Sequence, residues 1–315
     1  MKKIVYVTGC LGFIGSYVTR LCLEKGWYVK GIDKGTYAAN FDLLDEFNKN
    51  DKFSFHHTDI NDLNFLYDCD YIINTAAETH VDNSIVNSKQ FLESNINGVH
   101  NILELIKSKS AYKMPIFLHF STDEVYGDIV NGSHVETDLL KPSNPYSATK
   151  AAADMLIKAW NRTYNIPYII VRPTNNYGCG QYVEKLIPKT CKFLKVGRKM
   201  PLHSNGTPIR IWLHAKDTAN AVIKIIDSGV ENDIFNISGN YEDSNINVIK
   251  KIFSIKFGDN YNINDFVDFT FNRSGQDVRY SIDDSKLRKL GWTNQCNFDT
   301  ELPSILNYYK KKFVW

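Results

Sequence analysis

Long apolar runs are missing from this 315-residue chain: none approaches the roughly 20 residues that a helix needs to cross a bilayer. A membrane partner is not expected. An excess of one charge is missing too, with 37 Lys and Arg against 35 Asp and Glu and a net charge of +2. The basic residues are scattered, so the footprint of a nucleic-acid binder is absent. Cysteine is sparse and unclustered: Cys10, Cys22, Cys69, Cys179, Cys191 and Cys296 form no Cys-x-x-Cys pair and have no histidine at metal-ligand spacing. They read as reduced thiols, and no metal site is expected. The opening Lys2-Lys3 resembles the start of a signal peptide, but only about four apolar residues follow before Thr8 and Gly9. A first strand and a cytoplasmic protein are the expectation.

Short apolar runs alternating with longer helical patterns predict an α/β fold, a doubly wound parallel sheet of Rossmann type. Strands are expected at Ile4–Thr8, Tyr28–Asp33, Phe53–His57, 71–76, 116–121 and 168–172. Between the first two, Ile14, Val18, Leu21 and Cys22 recur at helical spacing, and Gly26 is placed to end the helix. A longer helical pattern covers 88–107, and another follows Ser147 with a stripe of Ala148, Ala151, Ala152, Met155, Leu156 and Ala159. After Arg172 the alternation gives way to turns and shorter elements. A first domain over 1–172 and a smaller α/β domain over 173–315 are expected, with some later segments returning to the first. His56 and His57 alternate on a strand and point to opposite faces, and His119 lies in an apolar run as a core residue.

Gly9, Gly12 and Gly15 follow the first strand and open the helix, where a phosphate-binding turn belongs. Their Gly-x-x-Gly-x-x-Gly spacing departs from the usual fingerprint, but glycine still permits positive φ and close backbone approach to a pyrophosphate. The helix start adds free N–H groups. Asp33 ends the second strand, 18 residues past Gly15, where an acid accepts from ribose hydroxyls and repels a 2′-phosphate. NAD is therefore expected over NADP, with the adjacent Lys34 pulling the other way.

Tyr146 and Lys150 stand at i and i+4, on one face of a helix. A lysine there favours phenolate and makes the tyrosine a general base. Upstream, Thr122, Asp123 and Glu124 follow a fifth strand, at the sheet edge where open α/β folds place ligands. Adjacent carboxylates repel, so one can stay protonated as an acid while the other works as a base. Elimination of water needs that division.

With these motifs the chain resembles the nucleoside-diphosphate-glucose 4,6-dehydratases of the extended short-chain dehydrogenase/reductase family, nearly end to end. The resemblance lies in 8–16, 75–84, 121–127, 144–150, 175–178, 184–188 and 273–280. It implies conversion of UDP-glucose, with dTDP-glucose the lesser alternative, to a 4-keto-6-deoxy sugar in a rhamnose-type deoxysugar pathway. By that resemblance Tyr146 takes the C4 hydroxyl proton, Lys150 tunes it, Thr122 orients the sugar, Glu124 removes the C5 proton and Asp123 protonates the departing C6 hydroxyl. It also assigns Phe13, Ile14, Asp59, Ile60, Ala76, Ala77, Ser94 and Asn176 to NAD. For the nucleotide sugar it assigns Thr79, Asn175, Lys185, Leu186, Arg210, Asn245, Arg273 and Gln276, and it implies a homodimer. Cys179, Ile211 and Gln276 depart from the family pattern. The alternatives are a 4-epimerase or decarboxylase on the same fold, which has no use for the Asp123–Glu124 pair, and a non-catalytic NAD-binding regulator, which should have lost a catalytic residue, whereas every one is present.

Overall fold

The computed structural model describes residues 2–109, 113–271 and 277–313. Strands run in chain order β1 (Ile4–Thr8), β2 (Tyr28–Asp33), β3 (Phe53–His57), β4 (Tyr71–Asn74), β5 (Ile116–Phe120), β6 (Tyr168–Pro173), β7 (Asn175–Tyr177), β8 (Met200–Pro201), β9 (Ile209–His214), β10 (Asp233–Ile237), β11 (Tyr241–Ser244) and β12 (Val267–Asp268). Seven of them form one parallel sheet in the order β10-β6-β5-β4-β1-β2-β3. The expected doubly wound sheet is present. The first three strands have the expected bounds, whereas β4 and β5 stop at Asn74 and Phe120 because the chain beyond them turns into the cavity described below.

Period-2 alternation decides which side chains go where. Val5 and Val7 face a core completed by the helices Phe13–Glu24 and Ala215–Ser228. Tyr6 and Ile72 face the opposite core, with Val99, Ile102, Ala153 and Ile157 from Gly98–Lys107 and Pro145–Tyr164. β10 joins the sheet beside β6, so the later half contributes to the first layer structure. A third core, around Tyr177, Trp212, Phe253 and Phe298, gathers the remaining C-terminal elements.

The helix expected over 88–107 is interrupted. Residues Glu93–Asn97 form a π-turn between Lys89–Leu92 and Gly98–Lys107. Such widened turns occur where a side chain must be re-aimed. Here buried Asn95 accepts from the Glu78 N–H at 2.9 Å and donates to the Glu78 carbonyl and to Thr149 Oγ1, both at 3.0 Å. The small-residue stripe of the other helix faces partly outward. Ala148, Met155 and Ala159 face solvent, because Tyr146, Ser147, Lys150, Ala153, Asp154 and Ile157 occupy the inward face.

Candidate active site

The strand order reverses at β1, which pairs with β2 on one side and β4 on the other. Side chains and backbone diverge there, leaving a crevice at the carboxyl edge of the sheet. The glycine turn fills its floor. Gly9 has φ +69°, and a Cβ on Gly15 would sit 2.0 Å from the Gly9 carbonyl oxygen. Only glycine allows that helix start to close on the strand. The helix Phe13–Glu24 begins at Gly12 without a side-chain cap, so its first N–H groups are directed toward the crevice.

One cavity is lined by every residue expected to hold a dinucleotide except Lys150: Gly9, Gly12, Phe13, Ile14, Gly15, Asp33, Lys34, Asp59, Ile60, Ala76, Ala77, Ser94, Tyr146 and Asn176. Buried Asp33 accepts from the Leu11 N–H at 3.0 Å and the Gly35 N–H at 2.8 Å, which fix its carboxylate at the strand end. Burial raises its pKa, and those two N–H groups lower it. Lys34 is tied to Ser94 Oγ at 3.0 Å and to Asp59 at 3.1 Å. Its ammonium is thereby engaged beside Asp33. A glycine-lined helix start, a fixed acid and an apolar wall suit NAD.

An adjoining cavity is lined by Thr79, Asn175, Lys185, Leu186, Arg210 and Asn245 from the expected sugar-nucleotide set, and Glu124 lies on the boundary of the two. Thr122 lines the first cavity only. Arg273 and Gln276 lie outside the described residues. Sequence reasoning missed other lining groups, among them Gln181, Glu184, Lys189 and a cluster in which His80 and His203 approach Asp82 at 3.7 and 3.5 Å. None carries a motif of its own. His203 in particular is presented by a short turn in which Ser204 and Asn205 take positive φ, a conformation that periodicity does not signal.

Thr122 starts the turn Asp123–Tyr126, accepting from the Glu124 N–H at 3.3 Å and donating to Asp123 Oδ1 at 3.1 Å. Asp123 is buried, and its Oδ2 has no hydrogen-bond partner among the described residues. Burial, reinforced by the neighbouring Glu124 charge, pushes its pKa up to about 7, against the pull of Arg210. Glu124 accepts from Asn144 Nδ2 at 3.2 Å; burial raises its pKa and Arg210 lowers it. Both carboxyls are thus raised, Asp123 to a point where it keeps its proton near neutral pH. Protonated Asp123 is the form able to donate, so elimination should slow as pH rises through about 7. A pH profile of single-turnover elimination flat across that range would remove Asp123 from the role.

Tyr146 and Lys150 lie on the helix Pro145–Tyr164, whose start is fixed by reciprocal bonds between Asn144 and Ser147. Other groups than the expected tuning partner act on both residues. The Tyr146 phenol is held above its ordinary pKa by burial and then by the Glu124 and Asp123 charges, with a hydrogen bond from Thr122 opposing. Lys150 instead places Nζ 3.3 Å from His119 Nε2, and burial pushes its pKa down to about 8 while Asp154 opposes. The lysine leans on β5 and not on the tyrosine.

Residues 6–304 match the family model described as GDP-mannose 4,6 dehydratase. The dTDP-glucose 4,6-dehydratase of Escherichia coli is 36% identical over 99% of this chain and 94% of its own. A trifunctional UDP-glucose 4,6-dehydratase of Arabidopsis thaliana is also 36% identical over 99% of this chain, which spans 48% of that protein. A dTDP-glucose 4,6-dehydratase structure from Streptomyces venezuelae, with NAD and TYD bound, superposes with a TM-score of 0.91 at 33% identity, covering 98% of this chain and 97% of that one. Glycine turn, strand-end acid and Tyr-x-x-x-Lys helix on this sheet define an NAD-dependent enzyme of the extended short-chain dehydrogenase/reductase type. The chain belongs to the GDP-mannose 4,6-dehydratase family, and within it is a nucleotide-sugar 4,6-dehydratase.

Proposed function

We propose that the substrate is glucose carried on a pyrimidine nucleoside diphosphate, and that the product is its 4-keto-6-deoxy form. The observation that carries this reading is the adjacent carboxylate pair, with Asp123 in the first cavity and Glu124 on its boundary with the second, since a simple 4-epimerase needs no separate acid and base for water loss. Residues of 1–172 would line most of the NAD site, and Lys185 and Arg210 from 173–315 would neutralise the diphosphate.

Bound NAD⁺ supplies the hydride acceptor at C4 and, once reduced, the hydride donor to C6. Tyr146 takes the C4 hydroxyl proton with Lys150 behind it, and Thr122 holds the sugar hydroxyl. Glu124 removes the C5 proton made acidic by the 4-ketone. Asp123 protonates the departing C6 hydroxyl, the step for which its raised pKa suits it. The product of incubation with dTDP-glucose or UDP-glucose decides the reading: an inverted 4-hydroxyl in place of a 4-keto-6-deoxy sugar would overturn it.

The sequence resemblance favours UDP-glucose, whereas the bacterial relatives at 36–37% identity are named for dTDP-glucose. Uracil and thymine differ by one methyl, worth about 1–3 kcal/mol in a pocket. Both sugars should therefore be turned over, UDP-glucose with the higher kcat/KM; a preference for dTDP-glucose of about tenfold, or roughly 1.4 kcal/mol, would overturn that choice. A measured ratio beyond about a hundredfold, or roughly 2.8 kcal/mol, would show a pocket built around that methyl.

A symmetric dimer through the helices 88–107 and Pro145–Tyr164 is supported by the outward Ala148, Met155 and Ala159 and by exposed Leu92. Light scattering at micromolar concentration should give twice the chain mass, and a monomer there would contradict it.

A further inference from the structure

The face of Lys150 turned away from Tyr146 meets a buried polar chain crossing three strands. The Ala76 N–H, which can only donate, reaches Thr8 Oγ1 at 3.4 Å. Thr8 donates to Asn74 Oδ1 at 2.5 Å, Asn74 turns Nδ2 to His119 Nδ1 at 3.0 Å, and His119 Nε2 lies 3.3 Å from Lys150 Nζ. Thr8 and Asn74 are 1% exposed and His119 is 0% exposed, so water does not complete the chain. With the Asn74 carbonyl satisfied by Thr8, its amide N–H is what remains for the imidazole. His119 Nδ1 must accept, and the ring proton is left on Nε2, facing the lysine.

We propose that His119, oriented by Thr8 and Asn74, is a positioning residue that directs an N–H at Lys150 and so favours its free amine over the ammonium. The inference rests on the dehydratase reading for its catalytic meaning, because an amine one helical turn from Tyr146 is the form able to take up a proton when the phenolate forms. The ring itself stays neutral, because burial holds the His119 pKa well below that of a free imidazole. The charged group that acts on Lys150 from its own helix is Asp154, which is bound by Arg172 of β6. His119 is the contact on β5.

The ¹⁵N spectrum of the histidines in the NAD-bound enzyme tests the orientation without substrate. Neutral His119 protonated at Nε2 is expected; protonation at Nδ1, or an imidazolium, would overturn the proposal even if the enzyme is a dehydratase. Asn74→Asp then tests the consequence, since a carboxylate only accepts and would draw the ring proton to Nδ1. Lys150, followed by its ¹³Cε shift, should titrate about one unit higher, and the acid limb of C4 oxidation of dTDP-glucose should move up with it. In a His119→Phe background the same substitution should move neither. A shift that persists there would be a through-space charge effect and would overturn the relay. A slower enzyme with an unmoved limb would reduce His119 to packing. Failure to form a 4-keto-6-deoxy product would count against the dehydratase reading alone, leaving the tautomer result standing.

Discussion

A Glu124→Gln enzyme should oxidise its substrate at C4 and stop there. The carboxylate of Glu124 accepts from Asn144 Nδ2 at 3.2 Å, and a glutamine carbonyl can keep that bond, so the turn Asp123–Tyr126 should fold unchanged. What disappears is the base. Loss of a positioned general base costs on the order of 10²–10⁴ in rate, and here it should fall on the elimination and not on the oxidation before it, which is proposed for Tyr146. The two steps then separate in time. Stopped-flow absorbance in the near ultraviolet should show reduced nicotinamide accumulating at close to the rate for the unmodified enzyme and decaying at least about a hundredfold more slowly. Ordinary turnover by this variant, with no accumulated reduced cofactor, would show that Glu124 is not the base. Removing the Glu124 charge should also ease the Asp123 proton off at lower pH, because that charge is the second cause of its raised pKa after burial. The residual elimination should therefore lose its acid earlier as pH rises.

The parts legible in the sequence are those where local chemistry and fold agree. β1 and β2 announce themselves by apolar residues close to glycine and acid, β3 by alternation, and Gly9, Gly12 and Gly15 sit between strand and helix with no other reason to be together. Asp33 and the 121–127 and 144–150 segments were found because each motif lies at a strand end or helix start that the pattern already placed. Long-range contacts were not legible. β10 completes the sheet from more than 60 residues downstream of β6, a pairing that no local period encodes. The π-turn at Glu93–Asn97 exists to aim Asn95 at Glu78, and that need is set by a partner distant in sequence. The same applies to Lys150. A Tyr-x-x-x-Lys spacing suggests that lysine and tyrosine tune each other, but what the ammonium meets is decided by β5, where His119 waits. The reading of His119 as a satisfied core histidine agrees with its two ring contacts, yet one of those contacts is Lys150 of the Tyr-x-x-x-Lys motif.

Asp154→Leu should destabilise the enzyme more than any surface change. Arg172 is 1% exposed and gives Nε and Nη2 to Asp154 Oδ2 at 3.0 and 2.8 Å, while Asp154 is 0% exposed. Burying two charges is expensive, so the pair need not add much net stability, but deleting one partner strands the other in a dry core. The guanidinium would keep only the Tyr126 hydroxyl at 2.6 Å, the ring of Tyr126 at 4.7 Å and the Glu136 carbonyl at 3.5 Å. The expected cost is about 3–5 kcal/mol, read as a drop in the urea midpoint with the slope unchanged. Pairing it with Arg172→Met removes the stranded charge and should recover most of that loss, as apolar replacement of buried ion pairs generally does. A single variant with an unaltered midpoint, or a double variant no better than the single, would contradict the assignment of Arg172 as a charge held by Asp154. Stability and function should then part company. Asp154 is the anion that raises the Lys150 pKa against burial, and Leu at that position cannot do so in either background. The double variant should be as sturdy as the parent enzyme but should carry a lysine that stays unprotonated to lower pH, which a ¹³Cε titration of Lys150 would register directly.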